Sequence, residues 1–225
     1  MSRFSSEVRA AKSGGEPVLI EKELWAPRKI KNPARIGVQF MGDLYHESTQ
    51  LVDRKNIALV MAHTKQHTFI ILTKRPENII VIDPLPKMIP QNIWLGASCE
   101  NQKYADERIS HLLKVPAVAR WLSLEPLLGP IDIYDSLIPV HLPDGKLTAD
   151  KYHTQTIQWV VIGCESGPKR RLCKLEWVQD IVEQCGAAGV ACWVKQISIG
   201  GKVETDIAKF PKELQVRELP DAKAM

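Results

Sequence analysis

The sequence predicts an α/β domain in the form of a parallel partial (β/α) barrel, TIM-barrel-like, with about six strands inside and helices outside. Three observations predict it. Short runs rich in β-branched and aromatic residues recur along the chain, with segments of helical period between them. The runs stay apolar instead of alternating with polar residues, as strands do when both faces of a sheet are covered. The length, 225 residues, suits one barrel-sized domain.

Residues 36–40, 69–72, 93–97, 118–124, 158–162 and 190–194 read as the strands. Between the first two, Ile57, Val60 and Met61 give a faint helical stripe. After the third, Ala105, Ile109, Leu112 and Leu113 fall on one helix face, with Asn101 as N-cap and Pro116 beyond the end. Ahead of the last, Val178, Ile181, Val182 and Cys185 lie at i, i+3, i+4 and i+7. Three regions stand outside the repeat. Residues 1–34 form a basic, partly flexible extension that includes Lys22, Arg28, Lys29 and Lys31. Residues 131–157 make an excursion longer than a normal connection, inside a barrel domain of residues 35–202. Residues 203–225 form a tail holding one more short element.

Hydrophobic residues make up 44% and charged residues 25%, values that speak against collagen, a coiled coil or a disordered chain. No apolar run reaches the ~18 residues of a membrane span. The first residues lack the apolar core of a secretion signal, so a cytoplasmic protein is expected. A formal charge of +4 is too small to argue for nucleic-acid binding by itself. Cys99, Cys164, Cys173, Cys185 and Cys192 lack the spacing of a disulfide framework or a local zinc site. Cys99 and Cys164 each precede a strand-end glutamate and could meet in space, although buried, inert thiols are the default reading.

In a parallel barrel all strand C-termini open at one mouth, where active sites are built. Here the apolar runs end in Met41-Gly42-Asp43, Thr73-Lys74-Arg75, Ser98-Cys99-Glu100-Asn101, Leu124-Glu125-Pro126, Gly163-Cys164-Glu165-Ser166 and Lys195-Gln196. General exposure explains polar loops, but not a charge so soon after each run. A charge at the end of a strand is partly buried and needs a partner or a ligand. Gly163 and Gly167 flank Glu165, either for close approach to a ligand or for a plain tight turn. Lys169, Arg170 and Arg171 follow, able to pair with a carboxylate or phosphate, or simply solvated. His46 is the histidine closest to a strand end. Trp94, Trp121, Trp159 and Trp193 lie on strands and read as core.

The same segments carry a resemblance. Met41-Gly42-Asp43-Leu44-Tyr45-His46, Ile71-Leu72-Thr73-Lys74-Arg75-Pro76 and Trp94-Leu95-Gly96-Ala97-Ser98-Cys99-Glu100-Asn101-Gln102 resemble successive blocks of the phage gp thirty-seven/gp sixty-eight family. So do Trp121-Leu122-Ser123-Leu124-Glu125-Pro126, Gly163-Cys164-Glu165-Ser166-Gly167-Pro168 and Val194-Lys195-Gln196, all in family order over about residues 25–202. Complete members resemble radical S-adenosylmethionine (SAM) enzymes, with three cysteines ahead of the first block. The resemblance therefore implies a phage or prophage protein, a barrel of the radical SAM type, and SAM and a [4Fe–4S] cluster as cofactors. It implies that Met41, Gly42 and Asp43 stand where the methionine amine is held; an acid suits that cation. Lys74, Arg75, Glu100, Asn101, Ser166 and Arg170 are the other cofactor-binding candidates. Glu125, Glu165 and Lys195 face the sugar or substrate as catalytic candidates.

No cysteine precedes Met41, so the three thiolates of an open cluster are absent and no metal ligand is assigned. A truncated reading frame, a second chain or segment supplying the cluster loop, or a lineage that lost the cluster would account for this. The isolated chain is then expected to be inactive, with a mouth that binds a small ligand or a SAM-type cofactor. Two other functions compete. One is a barrel hydrolase using Glu125 and Glu165 as acid and base. The other is a non-catalytic module for nucleic acid or protein, using Arg28, Lys29, Lys31 and Arg35 with residues 169–171.

Overall fold

Strand pairing follows chain order. The strands are Arg35–Val38 (β1), Thr68–Thr73 (β2), Ile93–Ser98 (β3), Ala119–Leu124 (β4), Trp159–Gly163 (β5), Ala191–Ile199 (β6) and Lys202–Glu204 (β7). Each pairs with its neighbours in sequence, parallel from β1 to β6, and β7 turns back antiparallel on β6. The structure is a computed structural model and describes residues 19–38, 42–79, 89–139 and 156–220.

Right-handed crossovers that always step one strand in the same direction put the connecting helices on one face. The helices are Leu51–His63 (α1), Gln102–Leu113 (α2), the single turn Tyr134–Leu137 (α3) and Leu175–Ala188 (α4). The sheet curls into a half-barrel, with β1 and β7 at its two edges.

From β2 to β6, alternate residues of a strand meet different cores. Ile93, Leu95, Ala97, Leu122, Leu124, Val160 and Ile162 pack into the larger core with the helices. Their strand neighbours Trp94, Ala119, Trp121, Trp159 and Val161 form a second core on the concave side. Burial on both faces is why the runs show no alternation in sequence. Gly96 makes room for the indoles: a Cβ there would lie 2.2 Å from Trp121 Cε2. The Trp121 ring crosses β3 at that point, and its Nε1 donates to Ile71 O on β2 at 3.1 Å. Trp159 sits 5.4 Å from Trp121 and meets Trp94 edge-on at 6.2 Å.

Helix α2 begins at the expected cap, Asn101, whose side-chain oxygen accepts from Tyr104 N–H at 3.2 Å. Helix α1 buries Val60 and Met61 while Leu51, Val52 and Leu59 are exposed. Its apolar residues face both ways, and the stripe in sequence is faint for that reason. Helix α4 closes on Gly189 in the left-handed region, φ 67°.

Three expectations need adjustment. The sheet has seven strands, β7 being the short element expected in the tail. That tail is part of the core: Phe210 and Leu214 are buried, Val194 N–H donates to Val216 O, and Trp159 Nε1 donates to Glu218 O. The excursion is likewise anchored, with Ile131, Ile133, Leu137 and Ile157 buried; residues 140–155, and residues 39 and 40 of the first expected strand, lie outside the described residues. Among the described residues no helix is long and apolar enough to cross a membrane.

Candidate functional site at the strand-end mouth

Backbone hydrogen bonds continue past the strand ends and fix the loops there. Cys99 N–H donates to Ser123 O at 2.9 Å, and Cys164 N–H to Gln196 O at 3.2 Å. Leu127 N–H reaches Gly163 O and Leu128 N–H reaches Glu100 O, both at 2.9 Å. The loop after β4 is thereby tied to the loops after β5 and β3. Side chains on these loops stand on a rigid scaffold.

On the β1–β2 side, Asp43 is fully engaged. Its Oδ1 accepts from Thr73 Oγ1 at 2.6 Å and Tyr45 N–H at 3.0 Å. Its Oδ2 accepts from Lys74 N–H at 3.0 Å and Arg75 Nη1 at 3.1 Å. A carboxylate offers about four acceptor positions, and Asp43 has filled them within the chain. Arg75 also donates to Glu47 at 2.8 Å. Gly42 is exposed nearby, and Met41 lies outside the described residues. His46 Nδ1 accepts from Ser48 N–H in its own loop.

Glu100 is buried between two cations, Lys74 Nζ at 2.7 Å on one oxygen and Arg108 Nη1 at 2.8 Å on the other. Burial pushes its carboxyl pKa up; the Lys74 hydrogen bond, a backbone hydrogen bond and the charges of Arg108 and Lys74 together more than offset this, and the net value falls below the ordinary one. Sequence reasoning missed Arg108. Its signal is a charge among the buried positions of α2, Ala105, Ile109 and Leu112.

Glu125 and Lys195 come together from β4 and β6. Both carboxylate oxygens accept from Lys195 Nζ, at 2.8 and 2.9 Å. The carboxyl lies against Gly163, where a Cβ would stand 2.9 Å from Glu125 Cδ. A β-bulge aims the lysine: Ile162 pairs with Val194 and Gly163 with Gln196, leaving Lys195 as the extra residue. The Lys195 side chain is 52% exposed and that of Glu125 23%. Among the described residues neither side chain has another hydrogen-bonding partner.

Glu165 is clamped by Arg171, which donates from Nε at 3.0 Å, from Nη2 at 2.8 Å and from its backbone N–H at 2.7 Å. The clamp holds the carboxyl down to about 2. A glycosidase acid needs a raised pKa, whereas Glu165 is held ionised. Arg170 donates to Gly167 O and Gly201 O, tying the β5 loop to the β6–β7 turn. Ser166 is exposed beside it.

The two basic segments do not share a surface. Arg28, Lys29 and Lys31 precede β1 and Arg35 is its first residue, all at the strand-start end, while residues 169–171 follow β5 at the mouth. A five-residue strand separates those ends by about 16 Å. Nor do Cys99 and Cys164 meet, because β4 lies between their strands, a gap of about 10 Å. All five thiols are buried and free. Burial pushes Cys99 and Cys173 up to about 12. Cys192 is raised by its contact with Cys185 and by burial. Among the described residues no group of three or more His, Cys, Asp or Glu is placed to hold a metal ion.

Fold and mouth together define an α/β half-barrel with ion-paired acids at its strand ends. The chain belongs to the family described as Protein of unknown function (DUF5131), whose model matches residues 3–223. No curated protein matches it, and no solved structure does.

Proposed function

We propose that this is a ligand-binding half-barrel, radical-SAM-like in plan, whose mouth takes a small zwitterionic molecule of the S-adenosylmethionine type. The Glu125–Lys195 pair carries this reading. It presents opposite charges that are partly open to solvent and, among the described residues, bonded only to each other. An incoming ammonium replaces Lys195 on Glu125, and an incoming carboxylate replaces Glu125 on Lys195. Such an exchange leaves no charge unpaired, so the usual penalty for stripping a buried ion is avoided. Asp43, with its acceptor positions filled, supports no such exchange; Glu125 is therefore the better seat for a ligand amine.

The chain's thiols do not fit a [4Fe–4S] cluster. An open-site cluster draws on thiolates, and these thiols are buried on separate elements, with Cys99, Cys164, Cys173 and Cys192 raised in pKa. The reading is accordingly one of binding and orientation, with no redox step assigned to these residues.

Calorimetric titration with S-adenosylmethionine and with adenosine tests it. The first is expected to bind about tenfold or more tightly than adenosine, and Lys195→Ala or Glu125→Gln to remove about tenfold of that affinity, the scale of one charge-assisted hydrogen bond. Equal binding of the two compounds, or no heat from either up to ~1 mM, would overturn the proposal.

A further inference from the structure

A cavity of about 330 Å³ lies on the outer side of the molecule, between the turn Glu21–Leu24 and helix α1. Its volume is within the range of small-molecule sites. Leu24, Trp25, Leu59 and Val60 form its apolar walls. Trp25 and Leu59 are large hydrophobic residues left 43% and 56% exposed, side chains that a flat apolar ligand would cover.

Among the described residues the charged groups at the rim have no ion-pair partner. The Arg28 guanidinium rests over the Trp25 ring, 4.6 Å from its centroid, and has no carboxylate partner among the described residues. Glu21, which also lines the cavity, has no cation partner among the described residues. The two are not paired with each other. Asn56 lines the same wall with its side-chain amide unpaired among the described residues, and His63 Nδ1 lies 2.7 Å from Leu59 O. Lys29 follows Arg28, while Lys22 lies between Glu21 and Glu23, all of them exposed, so the Arg28 end of the rim is the cationic one. The basic N-terminal segment, which the mouth leaves unexplained, acquires a role here.

We propose that this cavity is a binding site for a small, flat apolar carboxylic acid. The ring is covered by Trp25 and Leu59, and the carboxylate pairs with Arg28. Arg28 then exchanges solvent for a charge-assisted partner while its stacking on Trp25 is kept. Glu21 opposes the same charge, so its removal strengthens binding. The site is independent of the mouth and of the reading given for it.

The test uses the full chain labelled with 5-fluorotryptophan, the Trp25 fluorine resonance being assigned with Trp25→Phe. 3-Phenylpropionate is the probe, with 3-phenylpropionamide and phenethylamine as neutral and cationic counterparts. The Trp25 resonance is expected to shift saturably with the acid, at a Kd on the order of 1 mM for so small a molecule. The amide is expected to bind about threefold more weakly, and Arg28→Gln to lose about the same, as for a solvent-exposed ion pair. Glu21→Gln is expected to bind the acid more tightly and the amide unchanged, a sign that a merely destabilised variant would not show. No Trp25 shift up to ~10 mM overturns the proposal. So does equal affinity for acid, amide and amine, or an Arg28→Gln protein that binds the acid as the parent does while its circular dichroism melt is unchanged.

Discussion

At the scale of single residues, the acids of the mouth differ in how far their charge is satisfied. Asp43 holds four donors and Glu100 two cations, while Glu165 is gripped by one arginine through three hydrogen bonds. Glu125 has one partner among the described residues, the half-exposed Lys195. The Glu165 clamp has a pH signature. A carboxyl whose native pKa lies below its unfolded value contributes stability that is complete above the unfolded value and disappears as pH falls to the native one. For Glu165 that window runs from the ordinary 4.5 down to about 2. Arg171→Gln is expected to lower the urea midpoint slightly at neutral pH, with the deficit shrinking as pH falls through that window. Urea unfolding of both proteins at a series of pH values measures it. A gap that stays constant down to about pH 2.5 would show that Arg171 acts through something other than the carboxylate.

At the scale of elements, Asn101 distinguishes structural from ligand-binding residues. Its oxygen caps α2. Asn101→Ala is expected to cost about 1 kcal/mol of stability, seen as a lower urea midpoint, with S-adenosylmethionine affinity unchanged. Lost affinity at unchanged stability would move Asn101 to the ligand. The cap, helices α2 and α4 and the six parallel strands were legible in the sequence, because helical period and runs of β-branched residues are local signals. Strand-end position also singled out Glu125, Glu165 and Lys195. Their partners were not legible in the same way: Thr73 on Asp43 and Arg108 on Glu100 are set by tertiary packing. The bulge at Lys195 leaves no mark in Val194-Lys195-Gln196, since one extra residue in a strand changes register without changing composition. Helix α1 was faint because its apolar residues face both core and solvent.

At the scale of the whole molecule, the thiols report on how tightly the cores close. All five cysteines are buried. They are expected to react slowly with a thiol reagent in the native protein and completely once it is unfolded. Anaerobic reconstitution with iron and sulfide is expected to leave the 225-residue chain without stoichiometric iron. A broad band near about 400 nm with stoichiometric iron, lost in Cys99→Ala or Cys164→Ala, would make ligands of thiols taken here as core.

Sequential strand order also governs when the chain becomes competent. Each of β2 to β6 can dock on the strand made just before it, and no pairing joins β1 to β7. Growth of the sheet therefore needs no long-range closure, and can keep pace with synthesis at the ribosome. The mouth is different. Glu125 and Lys195 are 70 residues apart in the chain, and β5 must be laid down between their strands. A nascent chain that stops short of β6 can bury much of its apolar surface and still lack the ion pair. On the proposed reading, ligand capture therefore waits for β6 and is acquired in one step when that strand is added.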